Sequence, residues 1–143
     1  MKTIALRFAD NFAPKNGTIA EHQRIIDVIG YVWYGKLGAS VSNPVSQQIL
    51  KNVDSRILLI HSGSSYRYWA YIDDIQHEVP EIAAIPEYYR DMADSFKTWF
   101  RVKRFEKAPK DILSKCTVIS SGSTLSQASK HSMSPYFIIE VKD

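Results

Sequence analysis

The sequence contains a single cysteine, Cys116, among its 143 residues. One thiol cannot form a disulfide within the chain, and it cannot supply the ligands of a multi-cysteine zinc site. A chain of this length buries roughly two-thirds of its unfolded surface, so a hydrophobic core alone can hold it together. Because Cys116 lies beside a predicted strand, we expect a small buried side chain rather than a nucleophile.

Long hydrophobic runs are also missing. The apolar runs, such as residues 57–60 and 136–139, are the size of strands and far too short to cross a bilayer. The amino terminus lacks the extended apolar region of a secretory signal. Hydrophobic residues make up 45% of the chain and charged residues 23%, as in soluble globular proteins. We therefore expect a single cytoplasmic domain over residues 1–143 that does not contact a membrane.

Strong charge of either sign is absent. The net charge of +3 permits an anionic partner without requiring one. The four histidines lack the spacing typical of metal ligands, so we expect no metal site and no cofactor. Aromatic residues, in contrast, make up 12% of the chain, and tyrosine and tryptophan serve both cores and binding pockets.

Local patterns predict more strands than helices. Thr18 and Glu21 have the spacing of a capping box that opens a helix, and Gly30 can end it. Further helical turns are expected near residues 44–51, 87–95, 110–114 and 124–130. Strands are expected at residues 3–8, 31–34, 56–61, 66–75, 96–105, 116–119 and 135–141. This order favours an α+β fold, a curved sheet or small β-barrel flanked by two or three short helices, over a doubly wound parallel sheet.

An aromatic pair meets a glycine and a cation in the segment from Trp33 to Lys36. Aromatic rings can stack on a nucleobase, with a stabilisation of roughly 1–3 kcal/mol per base, and lysine can contact phosphate. The alternative is that these rings belong to the core. Because Trp33 and Tyr34 are neighbours in a strand, their side chains point to opposite faces, so at least one is expected in the core.

Two hydroxyl-rich turns offer polar contacts. Residues 61–66 and 120–126 each combine several serines with a glycine. Backbone N–H groups and hydroxyls there can bind phosphate or a base edge. The alternatives are an ordinary hairpin turn and a helix cap.

Patterns typical of catalysis are weak. Glu140 and Lys142 have the Glu-x-Lys spacing of a strand in metal-dependent nucleases, but such a site needs a further acidic ligand upstream. A serine with His131 as base would suit a hydrolase, although the sequence does not fix their geometry.

Several short motifs occur in a characteristic order. A buried strand ends in His-Ser at residues 57–62, a tryptophan begins the segment 99–102, and a serine-rich turn precedes Ser-Met-Ser-Pro at residues 132–135. Aromatic residues occur at 30–33 and 86–89. In this order the motifs resemble the PUA-like superfamily, most closely its EVE domains and more distantly its YTH domains. The Lys-Ser-Glu-Pro start typical of EVE domains is absent from this chain.

The resemblance implies a PUA-like domain whose aromatic pocket accepts a modified or flipped base of DNA or RNA, with no catalysis of its own. Trp33 and Tyr89 are then the predicted stacking walls. Polar contacts are predicted from Ser62, Ser64, Ser121 and Ser123. The nucleic-acid backbone is predicted to meet Lys36, Arg67, Arg101, Lys103 and Arg104, with Arg101 and Lys103 on one strand face by alternation. Two alternatives stay open: a binder of free nucleotides, such as a phage- or defence-associated sensor or sponge, and a metal-dependent nuclease.

Overall fold

Seven strands form one mixed sheet in the computed structural model, which describes residues 1–132 and 134–142. In chain order the strands are β1 (Lys2–Phe8), β2 (Val32–Lys36), β3 (Arg56–His61), β4 (Arg67–Gln76), β5 (Thr98–Lys107), β6 (Cys116–Val118) and β7 (Tyr136–Val141). Their order across the sheet is β2-β5-β4-β3-β1-β7-β6. β1 and β3 pair in parallel, whereas the other strand pairs of the described residues are antiparallel.

This sheet confirms the predicted α+β class, while its curvature and its closure into a barrel stay predictions. The Ser-Met-Ser-Pro motif includes Met133, which lies outside the described residues, as does Asp143.

Among the described residues, three α-helices flank the sheet: α1 (Thr18–Ile29), α2 (Asn43–Leu50) and α3 (Leu125–His131). Short 3₁₀ segments occur at Ile82–Ala84, Glu87–Ser95 and Ile112–Lys115. Within the described part of the chain, no helix has the length and apolar character needed to span a membrane. Ser42 caps α2, because its hydroxyl accepts the Val45 N–H.

The predicted capping box of α1 is wrong. The residue before the helix is Gly17, with φ of 91°, and no side chain of the box caps the helix. The Thr18 N–H instead donates to Asp10 Oδ1 at 2.9 Å, and a carboxylate at a helix N-terminus is favoured by the helix dipole. Glu21 accepts hydrogen bonds from other side chains. The predicted end of the helix is confirmed, because Gly30 adopts a φ of 93° and its N–H donates to the Ile26 carbonyl.

Alternation along the strands gives the sheet two buried faces. Ile4 and Leu6 of β1 belong to a core beneath α1 and α2, whereas Ala5 belongs to a core beneath α3 and the segment Ile112–Lys115. In strand β4, Tyr68 and Ala70 lie on the first face, and Trp69 and Tyr71 lie on the second. Two covered faces explain why β3 is apolar at four consecutive positions.

A third cluster lies at the end of the sheet formed by β2 and β5. We call it the tryptophan cluster, and its buried members are Trp33, Ala84, Ile85, Tyr89, Ala93, Phe96 and Trp99. Segment Glu87–Ser95 supplies two of these side chains and therefore covers this end of the sheet. The neighbouring strand residues Tyr34 and Phe100 face the core beneath α1 instead.

Candidate binding site

A cavity of about 230 Å³ opens where β1 and β2 end, between the loop 9–17 and the segment Glu87–Ser95. Pockets for drug-sized ligands have volumes of roughly 300–1,000 Å³, so this one suits a single small planar group. Six aromatic side chains line it: Phe8, Phe12, Tyr34, Tyr88, Tyr89 and Phe96.

A close approach between Gly35 and Phe96 builds one wall. A Cβ atom at position 35 would lie 2.6 Å from Cγ of Phe96, which no side chain tolerates without movement. The Phe96 ring therefore lies directly on bare β2 backbone. Its centroid is 4.5 Å from that of Tyr89, so the two rings form one continuous aromatic surface. Gly35, the glycine of the Trp33–Lys36 segment, therefore allows the Phe96 ring to pack against the backbone of β2.

Tyr88 and Tyr89 form the next wall and give it polar atoms. Their ring centroids are 4.9 Å apart in an edge-to-face arrangement. Thr18 also lines the cavity, and its hydroxyl donates to the Ala9 carbonyl. Burial raises the pKa of both phenols, so both stay protonated near neutral pH and can donate or accept a hydrogen bond.

The rim of the cavity carries exposed apolar side chains. Phe12 lines the cavity although 67% of it is exposed, and Leu37 on the other side is 46% exposed. Two backbone hydrogen bonds shape the loop around Phe12, from Ala13 N–H to the Asp10 carbonyl and from Gly17 N–H to the Pro14 carbonyl. An exposed ring beside an opening provides a surface on which a planar ligand can stack.

Of the two predicted stacking residues, Tyr89 lines the cavity and Trp33 does not. Trp33 is 3% exposed and belongs to the tryptophan cluster, and its indole N–H donates to Glu81 Oε1 at 3.3 Å. Because adjacent strand residues face opposite ways, Tyr34 reaches the cavity where Trp33 cannot.

Lys36 lines the cavity but is only 5% exposed. Its ammonium group donates to the carbonyl oxygens of Leu37 and Ala39 and lies 4.8 Å from the centre of the Tyr136 ring. Burial lowers the pKa of this amine. The charge thus stabilises the turn after β2.

The predicted serines lie in separate places. Ser64 lies in a groove next to the cavity, and Ser62 is exposed in the turn after β3. Ser121 and Ser123 line a groove of about 660 Å³ between β6, α3 and β7, and Pro135 is the one described residue that this groove shares with the cavity lining. The structure therefore does not bring the four serines into one site.

The predicted phosphate contacts of the sheet also lie away from the cavity lining. Arg101 stacks on Tyr31 at 4.1 Å, and Arg104 stacks on Tyr71 at 3.6 Å. The alternation of β5 is interrupted after Val102, because Arg104 lies opposite Tyr71 while Val102 lies opposite the next residue of β4. Lys103 is thus the extra residue of a β-bulge. Arg67, at the start of β4, also does not line the cavity.

Of the residues considered for catalysis, His131 lies in the same groove as Ser121 and Ser123, whereas Glu140 and Cys116 do not line it. Within residues 1–132 and 134–142, no three His, Cys, Asp or Glu side chains come together as a metal site would need. Glu140 lies exposed on β7, 2.7 Å from the amino group of Met1. Cys116 is fully buried, as predicted, and burial raises the pKa of its thiol to about 11, so the thiol stays protonated near neutral pH.

Comparison with known families identifies the domain. A model of the Pua-like family matches residues 4–137, which include every residue that lines the cavity. The chain belongs to the Pua-like family. No curated protein and no solved structure matches this Pua-like chain. The match confirms the PUA-like resemblance of the sequence motifs, while the closer likeness to EVE and YTH domains stays a prediction.

Five of the six aromatic side chains that line the cavity were absent from the residues predicted from sequence: Phe8, Phe12, Tyr34, Tyr88 and Phe96. Phe12 is a lone large aromatic among turn-forming residues, and this isolation could have indicated an exposed role. Tyr34 follows from the alternation that sends Trp33 the other way. Phe96 could not be found locally, because its place depends on a contact with Gly35, sixty-one residues earlier in the chain.

Proposed function

We propose that this Pua-like chain binds nucleic acid by accepting one modified or flipped base in the cavity, and that it has no catalysis of its own. The observation that supports this proposal is a cavity of single-heterocycle size with aromatic rings on several sides. Extracting a base from a stack costs about a few kcal/mol. Stacking on aromatic side chains returns roughly 1–3 kcal/mol per base, so the exchange is close to balanced before polar contacts are added.

The residues divide into stacking and reading roles. Phe12 at the rim and the Tyr89–Phe96 surface supply ring faces. The hydroxyl of Tyr88, which lines the cavity, can donate or accept a hydrogen bond at a base edge. Met92 also lines the cavity, and a methyl group of a modified base buried there would add about 0.8 kcal/mol.

A binder of free nucleotides is the second candidate, and the placement of the cations favours it. Lys36 bonds to carbonyl oxygens inside the fold, and Arg101 and Arg104 stack on rings outside the cavity lining. A ligand with one phosphate would need fewer cations than a strand. Salt dependence separates the two, because polymer binding weakens steeply as salt rises and the binding of a small ligand does not.

The proposal is tested by titrating the full chain with fluorescent single strands and with nucleotides, each carrying a common or a methylated base. We expect saturable binding that prefers one base. The Tyr88→Phe variant keeps the ring and removes the hydroxyl, and we expect about tenfold weaker binding from the loss of one hydrogen bond. Tyr31→Phe is the matched control, because the Tyr31 hydroxyl donates to Glu81 and Tyr31 does not line the cavity. Absence of saturable binding across the whole set would refute the proposal.

A further inference from the structure

A second groove adjoins the cavity. Its volume is about 530 Å³, and it lies between α1, the turn after β3, and the neighbouring ends of β4 and β5. Phe8 and Thr18 line both the groove and the cavity, so the two spaces are separated by the thickness of these side chains. The groove is therefore next to any ligand that fills the cavity.

One wall of the groove is aromatic and carries a cation. Tyr66 is 51% exposed, and its ring lies 6.5 Å from that of Tyr68. Phe105 completes this wall. The Lys107 ammonium lies 4.7 Å from the centre of the Tyr66 ring, on a side chain that is exposed to solvent. An exposed ring with a lysine beside it is the combination that holds a base and its phosphate in single-strand binding proteins.

The other wall is a fixed chain of hydrogen bonds. Asp10 Oδ2 lies 2.7 Å from His61 Nε2, and His61 Nδ1 lies 2.9 Å from Ser64 Oγ. The carboxylate, imidazole and hydroxyl are linked in the order found in hydrolases, but their hydrogen bonds stabilise the turn after β3. His61 Nδ1 also accepts the Gly63 N–H, and Ser64 Oγ accepts the Tyr66 N–H. These bonds tie the turn to the imidazole and hold Tyr66 at the edge of the groove.

We propose that this groove holds the nucleotide next to the one whose base enters the cavity. The neighbouring base would stack on Tyr66, and the phosphate would lie near Lys107. This inference rests on the proposed function and specifies its substrate, a strand of at least two nucleotides rather than a free nucleotide. It also gives the chain a phosphate contact that the internally bonded Lys36 does not supply.

The test compares mononucleotides with dinucleotides carrying the same common and methylated bases, titrated against the full chain and its variants. We expect each preferred dinucleotide to bind about tenfold more tightly than its mononucleotide, the gain from one added stacked base. Tyr66→Ala should abolish that gain and leave mononucleotide binding unchanged. Lys107→Gln should weaken dinucleotide binding and reduce its salt dependence, whereas Lys110→Gln, an exposed lysine that does not line the groove, should do neither.

The outcomes separate this inference from the proposed function. If mononucleotides and dinucleotides bind equally and Tyr66→Ala changes nothing, while Tyr88→Phe weakens both, the groove assignment is wrong and the cavity proposal stands. If no nucleotide of either length binds, the proposed function fails and the groove assignment fails with it. A tenfold gain that survives Tyr66→Ala would also overturn the assignment, because the second nucleotide would then lie elsewhere.

Discussion

The cavity and the tryptophan cluster are neighbours built from the same segments, yet only the cavity is open. Tyr89 and Phe96 belong to both regions. Two successive side chains of β2, in contrast, point one into the cavity and the other into the cluster. Tyr34 lines the cavity, whereas Trp33 is buried in the cluster. The rim of the cavity has the exposed ring of Phe12. Aromatic content at the end of a strand therefore does not mark a pocket by itself; a loop that leaves one side uncovered is also needed.

The largest expected effect on the free energy of unfolding comes from a substitution in the tryptophan cluster. Trp99 is fully buried, with its ring 5.1 Å from Phe96 and 6.0 Å from Tyr89. Trp99→Ala should lower the free energy of unfolding by about 3–5 kcal/mol, because it leaves a cavity behind rings that the binding site also uses. Urea unfolding followed by circular dichroism measures this change. A loss below about 1 kcal/mol would mean that the cluster is not the packed unit described here.

His22 lies beneath both regions and should make stability depend on pH. Its ring is 5.2 Å from Tyr34 and 5.1 Å from Tyr89, and Glu21 is the charged neighbour that acts on it. Nδ1 lies 2.8 Å from the Thr18 carbonyl and so carries the proton, while Nε2 is buried without a partner among the described residues. Burial lowers the pKa of His22 to about 4, since a charged ring would place an unpaired N–H in the core.

The direction of the pH effect follows from this lowered pKa. Below the ordinary histidine pKa of about 6.5, His22 is protonated in the unfolded chain but stays neutral in the folded chain. The contribution of neutral His22 to the free energy of unfolding is therefore fully present above this pKa. The free energy of unfolding falls by roughly 3 kcal/mol as the pH drops to about 4. Urea unfolding across that range measures the slope, and His22→Gln should flatten it, since the other three histidines remain in both proteins. An equal slope in the variant would assign the effect to another group.

The sequence predicted the sheet better than it predicted the site, for a physical reason. Strands such as β3 and β5 follow from local apolar and β-branched patterns, and the end of α1 follows from Gly30. The site depends on which segments meet. Tyr89 was found through its place in the motif order, but the contact of Phe96 with Gly35 and the engagement of Lys36 by the turn after β2 require the folded chain. The bulge at Lys103 likewise places Arg104 on the same face as Tyr71, which alternation from Arg101 would not predict.

The smallest expected change in stability, and the sharpest contrast with Trp99, belongs to Phe12. Its ring is mostly exposed, so Phe12→Ala should leave the free energy of unfolding within about 0.5 kcal/mol of the parent chain. Base binding should nevertheless weaken about tenfold, because one stacking surface at the rim is lost. Val53→Ala, at a fully exposed position that does not line the cavity, should change neither quantity. If Phe12→Ala binds the same nucleotides with unchanged affinity, the open side of the cavity does not hold the base, and the difference between the two aromatic regions is one of packing alone.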